Sequence, residues 1–272
     1  MRRLTPAETV HPGSNTHRVA LWVEYQGINY NGFQLQLNQP TIQGALEEAL
    51  KRFTCESIRI RGASRTDSGA HAQGQVVDFV TCSRHPADRF PPALNYFLND
   101  DVRVLRAKTV PYGFHSRRSA LSRVYQYRML ARREPSALLR DTHLWVREPL
   151  DTGLMAEAAL ALVGTHDFRV IAPSHPKDRS AVRTVNRWEV RQEADTVVIE
   201  CEANGFLKQQ IRKANGILLE IGKNRQPVEL MRNTLEGDQN VPDLPVIPAR
   251  GLCLMEVKYP DGTFNSPPAE TG

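Results

Sequence analysis

The order of predicted strands and helices in the first 110 residues is the feature that most restricts the fold of this chain. Apolar residues alternate from Val19 to Tyr25, as in a strand, whereas those from Ile42 to Phe53 fall at helical spacing. The predicted elements are, in chain order, a strand at 18–25, a helix at 40–53, strands at 58–60 and 76–80, a helix at 86–99 and a strand at 102–107. This β-α-β-β-α-β order is the split pattern of a ferredoxin-like fold, an antiparallel sheet with helices on one side.

Residues 111–262 repeat this mixture of strands and helices. The predicted elements are a strand at 122–129, a helix at 151–163, a hairpin of strands at 184–191 and 196–203, helices at 206–221 and 227–235, and a strand at 253–259. We therefore expect an α+β chain of two ferredoxin-like, RRM-like subdomains, at 18–110 and 111–262, with mostly antiparallel sheets flanking a central catalytic cleft. Disordered tails are expected at 1–17 and 263–272.

The cysteine spacing, the lengths of the apolar runs and the net charge limit the classes of protein to which this chain can belong. Four cysteines lie far apart without a Cys-x-x-Cys pair, which argues against a zinc ribbon and favours free thiols in a reducing compartment. No apolar run approaches the roughly eighteen residues of a membrane span, and residues 1–17 lack the apolar core of a signal peptide. We expect a cytoplasmic protein without a membrane partner, and the net charge of +5 favours an anionic one.

A polar loop from Ala63 to Ala72 separates two of the predicted strands and is the strongest candidate for a functional site. Arg65 and Asp67 are two positions apart, so in an extended segment both side chains face the same cavity. A nearby cation keeps an aspartate ionised, which suits a chemical role. The alternative is an ordinary turn, since Asp67, Ser68 and Gly69 are all common turn residues.

The residues Ser64-Arg65-Thr66-Asp67-Ser68-Gly69-Ala70-His71-Ala72 resemble the catalytic loop of the TruA family of tRNA pseudouridine synthases. That loop usually reads Gly-Arg-Thr-Asp-x-Gly-Val-His-Ala, so Ser64 and Ala70 are departures. Three further motifs resemble the family in the same order. They are the segment Gly32-Phe33-Gln34-Leu35-Gln36 with Thr41-Ile42-Gln43, the segment Arg123-Val124-Tyr125-Gln126-Tyr127, and the segment Phe206-Leu207 to Arg212 and Gly216, in which Gln210 and Asn215 replace apolar residues.

The resemblance implies isomerisation of uridine to pseudouridine in the anticodon stem-loop of tRNA, at positions 38–40, by a homodimer. The reaction needs no cofactor and no metal. The implied catalytic residues are Asp67 as the essential carboxylate, Arg212 as its ionic partner, Arg65 to help extrude the nucleotide, and Tyr125 to stack on the base and assist proton removal. The implied substrate-binding residues are Tyr125 and the cationic cluster Arg117, Arg118 and Arg123, which suits phosphate contact.

Two other function classes remain open at this point. One is a catalytically weak RNA-binding or RNA-folding protein on the same scaffold. The departures Ser64, Gln210 and Asn215 leave room for it, whereas the intact residues of the motifs argue against it; these are Arg65, Asp67, Tyr125 and Arg212. The other is an unrelated aspartate-dependent hydrolase, which requires a second carboxylate or a metal cluster near Asp67. Asp78 is the nearest carboxylate in sequence, but strand alternation gives no reason for it to return to the loop.

Overall fold

The computed structural model describes residues 16–172, 174–238, 242, 246–260 and 263. In the first half it contains β1 (His17–Tyr25), α1 (Ile42–Thr54), β2 (Arg61–Gly62), β3 (His71–Thr81), α2 (Phe90–Phe97) and β4 (Val102–Val110). In the second half it contains β5 (Ser122–Ala131), β6 (Leu144–Val146), α3 (Thr152–Ala159), β7 (Gly164–Asp167), β8 (Val182–Glu193), β9 (Thr196–Ala203), α4 (Gln210–Gly222), α5 (Leu230–Glu236) and β10 (Leu252–Lys258). Short 3₁₀ helices lie at Gly27–Asn29, Ala87–Arg89, Leu160–Leu162, Phe168–Ile171 and Ala249–Gly251.

The strands form one ten-stranded sheet with the order β4-β1-β3-β10-β5-β9-β8-β7, in which β2 pairs with β3 and β6 with β5. Most pairs are antiparallel, so the predicted α+β class with a mostly antiparallel sheet is confirmed. The sheet is continuous rather than divided in two, because β10 pairs with β3 on one side and with β5 on the other. The ferredoxin-like character of each half and the boundary at 110/111 stay predictions.

The seam between the two halves is short and parallel. Cys253 lies opposite His71, and Leu254 lies opposite Ala72, at the start of β3. Helices α1 and α2 pack on each other in the first half, whereas α3, α4 and α5 pack together in the second. The segment that precedes β3 therefore lies where the two halves meet.

Helix α1 begins as the sequence predicts, because Thr41 caps it. The Thr41 side chain accepts a hydrogen bond from the Gly44 backbone N–H, and Cys55 ends the helix in the left-handed conformation. Ile42, Leu46 and Leu50 are fully buried and form its packing face. This helix supports the loop that precedes it, since Gln43 Oε1 accepts a hydrogen bond from the Leu35 backbone N–H at 3.0 Å.

Several predicted boundaries are wrong, three of them in segments next to the candidate site residues. Residues 58–60 are not a strand: Ile58 and Ile60 are buried, but the Ile60 backbone N–H donates to the Glu47 side chain, and strand pairing begins only at Arg61. Strand β3 begins at His71, five residues before the predicted start at 76. Helix α4 begins at Gln210 instead of Phe206, because Gln209 has a positive φ of 63° that an α-helix does not accept.

Other expectations concern the ends of the chain. The predicted N-terminal tail overlaps β1 at His17, and residues 1–15 lie outside the described residues, as do 264–272. Within the described part of the chain, none of the helices has the length and apolar character needed to cross a membrane.

Candidate active site

The segment Ala63–Ala70, which we call the site loop, lies directly against the backbone of the loop that follows β1. A Cβ on Gly27 would lie 1.9 Å from the carbonyl oxygen of Ala70, and one on Gly32 would lie 2.7 Å from that of Thr66. The Phe33 backbone N–H donates to the same Thr66 carbonyl at 3.1 Å. The two glycines are therefore required for this close approach, and Gly32 also has a positive φ of 87° that favours glycine.

Asp67 and Arg212 form an ion pair across the two halves of the chain. Arg212 Nη1 donates to Asp67 Oδ2 at 2.8 Å, and Arg212 Nε donates to the backbone carbonyl of Ile247 at 2.7 Å. The two side chains are 23% and 15% exposed, respectively, so the pair is shielded but reachable from solvent. Asp67 Oδ1 has no hydrogen bond with the described residues, which leaves one carboxylate oxygen available to a ligand.

Tyr125 lies beside this pair on β5. Its hydroxyl lies 2.8 Å from Ser64 Oγ, and its ring packs edge-to-face on Phe206 with the ring centroids 5.4 Å apart. The side chain is only 4% exposed. Burial raises the pKa of Tyr125, and the Asp67 carboxylate adds to that rise, so the phenol keeps its proton near neutral pH.

A buried hydrogen-bond network holds the site loop from below, and sequence reasoning did not find it. Gln75 on β3 accepts from the Ser64 backbone N–H at 3.2 Å and donates to the Ser64 carbonyl at 2.7 Å. Gln75 Nε2 also lies 3.4 Å from the Tyr25 hydroxyl, which in turn lies 2.8 Å from Thr66 Oγ1. A glutamine directly before the apolar residues Val76 and Val77 is the signal that could have revealed it, since buried amides are nearly always paired.

The predicted cationic residues divide into exposed and buried groups. Arg65, Arg117 and Arg118 are exposed, and the side chain of Arg65 has no hydrogen bond or ion pair with the described residues. Arg123, in contrast, is 6% exposed. Its guanidinium donates to the carbonyls of Asn204, Ala63 and Arg117. This burial does not support the predicted phosphate contact of Arg123, and we interpret the residue as a tie between the site loop and two neighbouring loops.

Arg183 is a further cation near the site that the sequence did not single out. It is the second residue of β8 and lies beside Gly205, where an added Cβ would be 3.7 Å from Arg183 Nε. Gly205 immediately precedes Phe206. Burial lowers the pKa of Arg183, and the nearby Arg117 lowers it further. The two like charges therefore lie close together, an arrangement that an anionic ligand stabilises.

His71 belongs to the motif of the site loop but lies beneath it. Its Nδ1 accepts a hydrogen bond from the Gly27 backbone N–H at 3.2 Å, so Nε2 carries the proton and donates to the Arg250 carbonyl at 2.9 Å. Burial lowers the pKa of His71, which keeps the ring neutral. The residue therefore joins the loop after β1, strand β3 and the approach to β10.

Asp78 does not form a pair with Asp67. It is fully buried and accepts hydrogen bonds from Arg18, Arg61 and the Ser116 backbone N–H. Over the ranges that the structure describes, no three His, Cys, Asp or Glu side chains are grouped so as to hold a metal ion. The paired-carboxylate arrangement that the hydrolase alternative requires is therefore not formed by Asp78.

The two polar replacements on α4 face the interior. Gln210 Oε1 accepts from the Leu207 backbone N–H at 2.8 Å, and Asn215 Oδ1 accepts from Trp188 Nε1 at 3.2 Å. The amide nitrogen of each is buried without a partner among the described residues. Neither disturbs the orientation of Arg212 toward Asp67.

The sequence of this chain is similar to those of known tRNA pseudouridine synthases. A sequence model of the family described as tRNA pseudouridine synthase matches residues 21–117 and 158–260, which include Arg65, Asp67 and Arg212. tRNA pseudouridine synthase A of Caulobacter sp. (strain K31) is 40% identical over 243 residues, 89% of this chain and 98% of that protein. tRNA pseudouridine synthase A 2 of Clostridium tetani is 37% identical over 243 residues, with the same two shares.

A third relative extends the match. tRNA pseudouridine synthase A of Pseudoalteromonas atlantica is 38% identical over 256 residues, 94% of this chain and 97% of that protein. The family model covers most of the described strands, including β3, which directly follows the site loop. The chain therefore belongs to the TruA family of tRNA pseudouridine synthases.

Proposed function

We propose that this enzyme converts uridine to pseudouridine at positions 38–40 of the tRNA anticodon stem-loop, with Asp67 as the essential carboxylate. The observation that carries the proposal is the ion pair between Asp67 and Arg212, with the Tyr125 ring beside it. The relatives' names support tRNA as the substrate of this chain. The choice of the anticodon stem-loop rests on the family resemblance of the loop motif.

The reaction is an isomerisation. The N1–C1′ glycosidic bond breaks, the uracil ring turns, and a C5–C1′ bond forms; C5 loses a proton and N1 gains one. Composition and oxidation state are unchanged, so the chemistry requires a carboxylate, a surface that retains the free base, and a proton acceptor. Asp67 Oδ1 accepts no hydrogen bond from the described residues, and we propose that this oxygen contacts the sugar or the base of the uridine.

In this step Arg212 acts on the Asp67 carboxylate, and Tyr125 acts on the uracil base. Arg212 compensates the charge of the carboxylate and fixes its orientation through Oδ2. Tyr125 remains a neutral phenol, so we propose that it holds the base and exchanges a proton through a hydrogen bond rather than acting as a phenolate.

Exposed arginines bind the RNA backbone in this proposal. Extruding a nucleotide from a stem costs a few kcal/mol, which phosphate contacts must offset. Arg65 is free to fill the place of the extruded nucleotide, while Arg117 and Arg118 lie on the surface near the site. Three further parts of the proposal have different grounds. A homodimer rests on the resemblance, two ferredoxin-like halves rest on the order of strands and helices, and a cytoplasmic location rests on the spacing of the cysteines.

Pseudouridine mapping on defined tRNA transcripts tests this function. The purified protein is incubated with transcripts that carry uridine at positions 38, 39 or 40, beside an Asp67→Asn variant. Asp88→Asn, which neutralises an exposed carboxylate on the 3₁₀ helix Ala87–Arg89, is the matched control. We expect pseudouridine in the anticodon arm from the wild type and the control, and none from Asp67→Asn.

Two outcomes would contradict the proposal. Pseudouridine formed outside the anticodon arm would overturn the proposed position. Binding of tRNA by wild type and Asp67→Asn alike, with no pseudouridine from either, would favour the RNA-binding or RNA-folding alternative.

A further inference from the structure

Gln75 makes an unusual set of contacts for a side chain in the middle of a strand. It is fully buried, and its amide pairs with both backbone groups of Ser64, as a neighbouring strand would. Its second amide hydrogen points to the Tyr25 hydroxyl at 3.4 Å. All the hydrogen-bonding groups of the amide are therefore directed at the site loop or at the tyrosine that supports it.

Tyr25 extends this arrangement to Thr66. The amide nitrogen of Gln75 only donates, so the Tyr25 hydroxyl accepts from it, and the same hydroxyl forms a hydrogen bond with Thr66 Oγ1. Ser64 and Thr66, the two neighbours of Arg65, are thus both held from below. Ser64 Oγ also contacts the Tyr125 hydroxyl at 2.8 Å, which joins the same network to the proposed base-binding ring.

We infer that Gln75 is a positioning residue for catalysis: by fixing Ser64 directly and Thr66 through Tyr25, its amide sets the position of Arg65 and Asp67. This inference rests on the proposed function. Removing the amide should misplace the Asp67 carboxylate without touching any surface that binds RNA. A displacement of about 1 Å at a reacting group can lower a rate about a hundredfold.

Gln75→Leu in the full-length protein is the first test, measured as the single-turnover rate of pseudouridine formation and the Kd for tRNA. We expect the rate to fall about ten- to hundredfold while the Kd changes less than about twofold. Asn95→Leu is a closely matched control, because the Asn95 amide pairs with the backbone N–H and carbonyl of Val104 at 2.8 and 2.9 Å, on β4. It should lower the Tm without lowering the rate at temperatures where the protein is folded.

Gln75→Glu provides a readout that loss of stability alone cannot produce. A protonated glutamic acid can donate to the Ser64 carbonyl as the amide does, whereas the ionised form cannot. Burial raises the pKa of a carboxyl group, so the variant should gain protons as the pH falls from about 8 to about 6. Its rate relative to wild type should therefore rise toward lower pH.

The other titratable and charged groups near the network do not produce this change themselves. Burial raises the pKa of Tyr25 and Tyr125, and that of Cys253 to about 12, so all three remain protonated over this range. Arg123 stays cationic, and Asp67 is present in both proteins, so its effect cancels in the ratio.

The outcomes separate the inference from the proposed function. Wild-type protein without activity on any tRNA would overturn the function. Active wild type with an undiminished rate for Gln75→Leu, or a rate ratio for Gln75→Glu that is flat with pH, would overturn the positioning role of Gln75 alone.

Discussion

Arg212 Nη1 lies 2.8 Å from Asp67 Oδ2, although 145 residues of sequence separate the two side chains. The same guanidinium is anchored through Nε to the Ile247 carbonyl at 2.7 Å. Arg212 thus approaches the carboxylate from a fixed direction, with one side of its planar group held by the backbone.

Arg212→Met should lower the rate of pseudouridine formation about a hundredfold, because it leaves the Asp67 carboxylate without its charge partner. Arg212→Lys should restore only part of the rate, since lysine cannot make the contacts to Asp67 and Ile247 together. Single-turnover kinetics with saturating enzyme measures both. Arg225→Met, which removes an exposed arginine paired with Glu148, should leave the rate unchanged. Equal rates for Arg212→Met and wild type would contradict the proposed role.

Arg117→Ala and Arg118→Ala should weaken tRNA binding and make it less sensitive to salt, because both side chains are exposed near the site. Each lost phosphate contact should reduce the slope of log K against log[salt] by roughly 0.7 to 0.9. Binding titrations between low and moderate salt measure this slope. A wild-type profile that is flat over this range would contradict backbone recognition altogether.

Arg123→Met is the contrasting variant, and it should lower the Tm, because three backbone carbonyls lose their donor in a buried location. Its effect on the salt slope at a temperature where the protein is folded should be negligible. A reduced slope with an unchanged Tm would restore the predicted phosphate contact of Arg123.

Gly32→Ala should both destabilise the protein and lower its activity. The added Cβ would lie 2.7 Å from the Thr66 carbonyl, and the φ of 87° is unfavourable for alanine. We expect a loss of about 1–3 kcal/mol in the free energy of unfolding. Denaturant unfolding measures it, and Gly113→Ala is the control, since a Cβ there meets nothing within 4 Å. Similar losses in the two variants would show that packing on the site loop is not the cause.

The protein should lose stability as the pH falls below about 6.5, the ordinary pKa of histidine. Burial lowers the pKa of His71, and also those of His115 and His143, so the unfolded chain binds protons that the folded chain resists. Stability is therefore complete above about pH 6.5 and decreases as the pH drops toward the lowered values. Thermal unfolding at a series of pH values should show a shallower decrease for His71→Gln than for wild type. Parallel curves would mean that His71 does not contribute.

Local sequence patterns predicted the helices and strands of this fold better than they predicted the contacts between them. Helix α1 was predictable because its cap and its apolar face both lie in one short segment. The alternation of Ile58 and Ile60 predicted their burial correctly, but it did not predict that this segment lacks strand pairing. The reason is that the Ile60 backbone N–H donates to the Glu47 side chain on α1 instead of to a neighbouring strand. Periodicity records which side chains are buried, not which backbone groups pair.

The residues of the site were predictable only where they belong to a sequence motif. Asp67 and Arg65 share one loop, so local sequence was enough to propose them together. The parallel pairing of β3 with β10 and the burial of Arg123 depend on contacts between distant segments, which a single sequence does not reveal. Gln75 was visible as a polar residue directly before the apolar residues Val76 and Val77, but its partners Ser64 and Tyr25 lie 11 and 50 residues earlier in the chain.

The position of β10 between β3 and β5 has a consequence for how the protein is made on the ribosome. Among the described strands it is the last to be synthesised, yet it joins the two halves of the sheet. Until residues 252–258 emerge, the start of β3 lacks its neighbour from β10 and His71 lacks its partner at Arg250. A nascent chain therefore exposes part of a strand edge beside the site loop throughout most of translation, and that edge is open to pairing with another chain during this interval.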